Sequence, residues 1–206
     1  MERKHLILRL ALATIIGMPL IALAIDHFSE QVNVAVALIG DGNYALQIIY
    51  GVLAGLLIAI PGYWITSRPW MGQVHHQYVR LIQQFDLNTS DVIFISCCAG
   101  VGEEVLFRGA IQPFMGIIIT AILFVAIHGY LNPRNWRISI YGVFMTAGIV
   151  LLGYLAETMG LLVAIVAHTI IDIYLLNRMI HRPMPIEITI QENLEDTSHE
   201  QEDERT

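Results

Sequence analysis

The sequence predicts an all-α polytopic membrane protein with about six transmembrane helices, and three observations carry that expectation. Hydrophobic residues make up 55% of the 206-residue chain and charged ones only 14%, more apolar side chain than a soluble core of this size could hide. The mean hydropathy is +0.60. The apolar residues also fall into six runs near the roughly 17 to 25 residues that a helix needs to cross a bilayer.

In chain order the spans are Leu6 to Ile25, Tyr44 to Thr66, Asp91 to Gly116, Ile117 to Leu131, Ile138 to Ala156 and Met159 to Asn177, the fourth shorter than the rest. In the first, Ala22-Leu23-Ala24 resembles a signal-peptidase site. The apolar run of about 20 residues exceeds the usual signal-peptide core and favours an uncleaved helix. In the second, Gly51-x-x-x-Gly55 permits close helix approach. Between the second and third, Val74, Tyr78, Leu81, Ile82 and Phe85 recur at helical spacing among His75, His76 and Gln77, which predicts an amphipathic helix on the cytoplasmic membrane surface with solvated histidines. Asn88, Thr89 and Ser90 are suitable N-caps for the third span. Cys97 and Cys98 are adjacent, so no relaxed bridge can join them, and they read as small buried packing residues. Pro113 and Gly116 make a sharp break before the fourth span.

Charge then orients the helices. Arg3, Lys4 and Arg9, then Arg68 and Arg80, then Arg134 and Arg137, then Arg178 and Arg182 all fall on one side, while the opposite loops offer Asp26, Glu30, Asp41 and Glu157. The positive-inside rule makes the basic side cytoplasmic and puts both termini there. The net charge of −7 belongs to residues 187–206, where eight acids meet one Arg; the rest of the chain balances ten acids with ten bases. Residues 1–182 are therefore expected to form one transmembrane domain, and 183–206 an acidic disordered tail. Nothing in the sequence points to nucleic-acid binding.

Inside the third span, Gly102-Glu103-Glu104-Val105-Leu106-Phe107-Arg108-Gly109 breaks the apolar pattern. An ionisable group near the bilayer centre costs at least about 2.5 to 3.5 kcal/mol, so three of them in six residues read as a functional site. Residues four apart share a helix face, and Glu104 can pair with Arg108. Glu103 cannot join them. A carboxylate held by Arg stays ionised, whereas one left without a cation in a dry site is available as acid or base. Glu103 is thus the candidate for chemistry, with Glu104 and Arg108 holding it in place. The plainer alternative, a buried ion pair that only fixes helix packing, leaves Glu103 without a role.

Of the eight histidines, His5, His27, His75, His76, His181 and His199 fall in loops, termini or interfacial segments. His128 lies within the fourth span, four residues after Phe124. His168 lies in the sixth, four before Asp172, so that the carboxylate can accept a proton from the imidazole and orient it. At about 1.5 Å per residue, Glu103 sits about 18 Å above Asp91, His128 returns to about 20 Å and His168 to about 24 Å. The three side chains can converge in one cavity.

These three motifs, Glu103-Glu104-x-x-x-Arg108, Phe124-x-x-x-His128 and His168-x-x-x-Asp172, resemble in order and placement those of the CPBP family, the type II CAAX-prenyl endopeptidases and their bacteriocin-processing and self-immunity relatives. The resemblance covers about residues 91–177. It implies an all-helical membrane core with a cavity open to cytosol and lipid, and intramembrane proteolysis of glutamate type on a membrane-associated protein or peptide. Carried onto this chain, it makes Glu103 and His128 the activators of a water, and His168 with Asp172 the stabilisers of the oxyanion. Asp172 departs from the Asn of the well-described prenyl-protein proteases, and an ionised Asp cannot donate to an oxyanion. It is either protonated or an orienter of His168.

The expected cofactor is none. Zinc is the alternative, because Glu, two His and Asp are plausible ligands, although the chain lacks a His-Glu-x-x-His helix. A non-catalytic immunity or scaffold protein of the same fold is the other alternative. A pure scaffold has no use for Glu103.

Overall fold

A computed structural model describes residues 2–30, 32–40 and 42–183, and every regular element among them is a helix. The elements are α1 (Glu2–Phe28), α2 (Val34–Ile39), α3 (Tyr44–Thr66), a 3-10 turn at Pro69–Met71, α4 (Gly72–Gln83), α5 (Thr89–Leu106), a π-helical turn at Phe107–Ile111, α6 (Gln112–Ile127), α7 (Trp136–Met159) and α8 (Leu161–Ile180). The acidic segment 187–206 lies outside the described residues.

Among the described residues, five helical stretches are long and apolar enough to cross a membrane. The third and fourth expected spans form one stretch, Thr89–Ile127. Gly116 breaks it, with φ 72° and ψ 168°, backbone angles that glycine adopts without steric cost. The chain doubles back there, since the rings of Phe107 and Phe124 lie 5.0 Å apart on opposite sides of the turn. The returning arm ends at Ile127. Its roughly 11 residues rise only about 16 Å, too little to cross a hydrocarbon core of about 30 Å. That shortness puts His128 at the end of α6.

α8 is the central helix, packed on α3, α5, α7 and α4. Small residues set its closest approaches. A Cβ on Gly51 would lie 2.8 Å from the Val163 carbonyl oxygen, and one on Gly55 2.7 Å from that of Ala167, so the Gly-x-x-x-Gly pair does bring two helices together. Gly100 plays the same part between α5 and α8, where a Cβ would meet Thr169 Oγ1. Gly102 does so against Thr14 of α1. Outward faces carry large apolar residues such as Leu57, Ile118 and Val143, each more than three-fifths exposed, as a bilayer-facing surface requires.

The basic segments gather at one end. Arg3 donates to Gln84 at 3.1 Å, Lys4 pairs with Asp91, and the α7 N-terminus meets the α3–α4 connection through the stacked rings of Trp70 and Trp136, 5.8 Å apart. α5 starts on a capping box, in which Asn88 accepts from the Asp91 amide and Asp91 from that of Asn88. The opposite end is closed by α2, whose Val34 amide donates to Asp26 at 3.0 Å, and by Gln112, which donates to Glu157 at 2.9 Å.

Two expectations about side chains need correction. Cys98 is buried but Cys97 is exposed. α4 is amphipathic, yet its apolar face does not lie free on a surface. Val74, His75 and Val79 are buried, because α4 packs across the end of α8. His75 is therefore not solvated. Arg182 Nη1 donates to its Nε2 at 2.6 Å, and burial, then the Arg182 charge, lowers its pKa to about 4.

Candidate active site

The three motifs converge as the depth argument expects. Glu103 and Glu104 are adjacent on α5 and so point to different sides. Glu103 faces His128, with Oε2 to Nε2 at 3.4 Å. Glu104, fully buried, faces the other way, towards Arg108 and α8.

The Phe124-x-x-x-His128 spacing has a local cause. α6 ends at His128, so the last carbonyls have no helical amide to bond. The Phe124 carbonyl accepts instead from the imidazole Nδ1–H of His128, at 2.6 Å. With that proton on Nδ1, neutral His128 presents a lone pair on Nε2, aimed at Glu103. The Phe124 ring supports the rest of the site. Its centroid lies 4.5 Å from that of His128 and 5.7 Å from that of His168, and the Arg108 guanidinium stands over it at 4.7 Å.

Glu104 binds two cations or donors at once. Its Oε2 lies 3.0 Å from Arg108 Nε, an ion pair without in-line hydrogen-bond geometry. Its Oε1 accepts from His168 Nδ1 at 2.8 Å. The Glu104–Arg108 pair is the one that the spacing predicts, and the bond to His168 is new. Glu104 and not Asp172 fixes the His168 ring. Asp172 Oδ2 is 3.6 Å from His168 Nε2, beyond a hydrogen bond. The expectation that Asp172 accepts a proton from His168 and orients it therefore needs correction, since the buried carboxylate on α5 lies closer to the ring than the one a turn along α8.

Glu103, His128, His168 and Asp172 all line one cavity of about 250 Å³. Its far wall is apolar, built from Ile149, Ile171 and Leu175, and α4 closes the basic end with Val74, His75 and Tyr78. Tyr130 lines it too, its ring nearly parallel to that of His128 at 6.1 Å. Sequence reasoning missed Tyr130 and the α4 side chains. An aromatic two residues past the motif histidine was the available sign for Tyr130, while the α4 residues carried none beyond their apolar stripe.

Just past the carboxylates, residues Phe107–Ile111 form a π turn. Such a turn has one residue more per hydrogen-bonded loop than an α-helix and is frequent at functional sites. Arg108 still reaches Glu104 across it. Among the described residues, no three His, Cys, Asp or Glu side chains are grouped so as to hold a metal ion.

Comparison with known proteins adds to this geometry. No solved structure matches the chain. A protein of Bacillus subtilis (strain 168) described as "Uncharacterized protein YpbD" is 37% identical over 83 residues, which is 39% of this chain and 41% of that one. The chain thus aligns with about two-fifths of its curated relative. Residues 86–174 match the family model described as type II CAAX prenyl endopeptidase Rce1-like. That segment holds Glu103, Glu104, Arg108, Phe124, His128, His168 and Asp172, and across it the chain is similar to the Rce1-like CAAX endopeptidases, the family that its three motifs resemble.

Proposed function

We propose that the protein is an intramembrane endopeptidase of glutamate type, which hydrolyses a peptide bond of a membrane-associated protein or peptide in the cavity between α5, α6 and α8. The observation that carries this reading is the close approach of an imidazole nitrogen and a carboxylate oxygen on the cavity wall, two acceptors when His128 is neutral. His128 Nε2 and Glu103 Oε2 stand 3.4 Å apart, and Glu103 Oε2 has no hydrogen-bond partner among the described residues. Two lone pairs so close call for a donor shared between them, and a water molecule supplies one proton to each.

The reaction then follows. Glu103 takes a proton from that water as the oxygen attacks the carbonyl carbon of the substrate, and His128 keeps the water aligned. The C=O bond opens to an oxyanion. His168, with Nδ1 held by Glu104, donates from Nε2 to that oxygen in its doubly protonated form. As the C–N bond breaks, the proton on Glu103 passes to the leaving amine. Asp172 Oδ2 stands 3.6 Å from that Nε2. No metal is assigned a role.

The one-sided basic clusters support an orientation with both termini cytoplasmic. In a chain with Cys97 and Cys98 replaced, Arg134→Cys should react only with a membrane-permeant thiol reagent in intact cells, and Thr158→Cys with an impermeant one as well. The reverse pattern would turn the protein over. The function itself is tested by comparing membrane proteomes of cells that express wild type and Glu103→Ala. Cleavage products present only with wild type are expected. Identical peptide termini in the two samples would leave the scaffold reading in its place.

A further inference from the structure

A second cavity, of about 590 Å³, opens at the basic end between the last turns of α3 and α8, outside the site described above. Three basic side chains, Arg178, His181 and Arg182, line it together with Asn177. No acid does. Among the described residues neither Arg178 nor Arg182 is paired with a carboxylate. Arg178 instead lies over the rings of Tyr63 and Tyr174, at 5.6 and 5.3 Å. Arg182 donates from Nη1 to Tyr63 Oη at 3.5 Å and to His75.

Below this basic rim the wall changes character. Leu56, Ile170 and Ile173 face the cavity, and the neighbouring outward residue Leu57 is 65% exposed. Charge at the membrane boundary sits directly above an apolar slot that continues onto the bilayer-facing surface. A free inorganic anion would use only the rim, and an apolar ligand only the slot. An anionic phospholipid uses both, since its phosphate takes up the arginines and one acyl chain lies along the slot.

We propose that the α3–α8 cavity is a binding site for an anionic phospholipid, its phosphate between Arg178 and Arg182 and an acyl chain against Leu56, Ile170 and Ile173. The site communicates with the candidate active site through one side chain. Arg182 reaches the phosphate position and also bonds His75, which lines the wall of the other cavity.

Native mass spectrometry of the full chain, released from detergent with equal amounts of phosphatidylglycerol and phosphatidylcholine, tests this. Phosphatidylglycerol should be retained preferentially at one copy per chain. Arg178→Gln, at a side chain that lies over the two tyrosine rings, should weaken that retention by about fivefold, the loss of one juxtamembrane charge. Arg134→Gln, at the same end but away from the cavity, should leave it unchanged. Inorganic phosphate should not displace the lipid. Equal retention of the two lipids, displacement by inorganic phosphate, or equal effects of Arg178→Gln and Arg134→Gln would each overturn the proposal.

Discussion

Arg108→Ala should destabilise the protein by about 3 to 5 kcal/mol, and Glu104→Gln by a similar amount, because truncating one partner of a buried pair leaves the other charge without compensation. Both side chains are almost wholly buried, 1% exposed for Arg108 and 0% for Glu104. The Arg108 Nη atoms have no hydrogen-bond partner among the described residues, so the Glu104 charge and the Phe124 ring are what hold the guanidinium in place. Glu104→Gln also loosens His168, since an amide offers a weaker acceptor to Nδ1 than a carboxylate does. Glu103→Gln should behave differently. Its side chain is 15% exposed and opens on a cavity, so the variant should fold with wild-type stability and lose activity. Thermal unfolding in detergent of the three variants separates the roles. Equal losses in all three would show that the carboxylates form one structural cluster.

His168→Ala should lower turnover by about 100-fold or more, the usual cost of losing one oxyanion donor. The bond from its Nδ1 to Glu104 at 2.8 Å fixes the ring and so the direction in which Nε2 donates. The variant should also release Glu104 from one of its two partners and cost some stability. For that reason turnover must be read as kcat on folded protein. A loss confined to KM would mean that His168 binds substrate without meeting the developing charge.

The sequence reading reached the site through spacing. Four-residue separations put Glu104 with Arg108 and Phe124 with His128, and helical rise brought Glu103, His128 and His168 to one level. Those arguments work because an α-helix has a fixed rise and period. Contacts between helices have no such rule. The bond from Glu104 to His168 joins positions 64 apart, and it exists because Gly100 lets α5 and α8 approach closely. Position along the chain gives no sign of that. The π turn at Phe107–Ile111 was equally hidden, since its residues are ordinary helix formers apart from Gly109. The helix bounds of the fourth expected span were hidden for a related reason. Hydropathy measures how apolar a run is, and Ile117 to Leu131 is apolar enough, but the helix stops at Ile127 and Gly129 just beyond it takes a φ of 78°. Burial of His75 could not be read from α4 alone, because the element that covers it is α8, about a hundred residues away.

The central claim is that a water is activated by Glu103 and His128 without a metal ion, and metal content measured alongside activity tests it most directly. Metal ligands must be deprotonated and their ion present for activity. A carboxylate base needs neither. Purified protein treated at length with a strong chelator should hold well under one equivalent of metal and keep its full turnover. Stoichiometric zinc that is lost in Glu103→Ala, His128→Ala and His168→Ala alike, with activity restored by adding zinc to the stripped wild type, would contradict the account and make these residues the ligands of a catalytic metal.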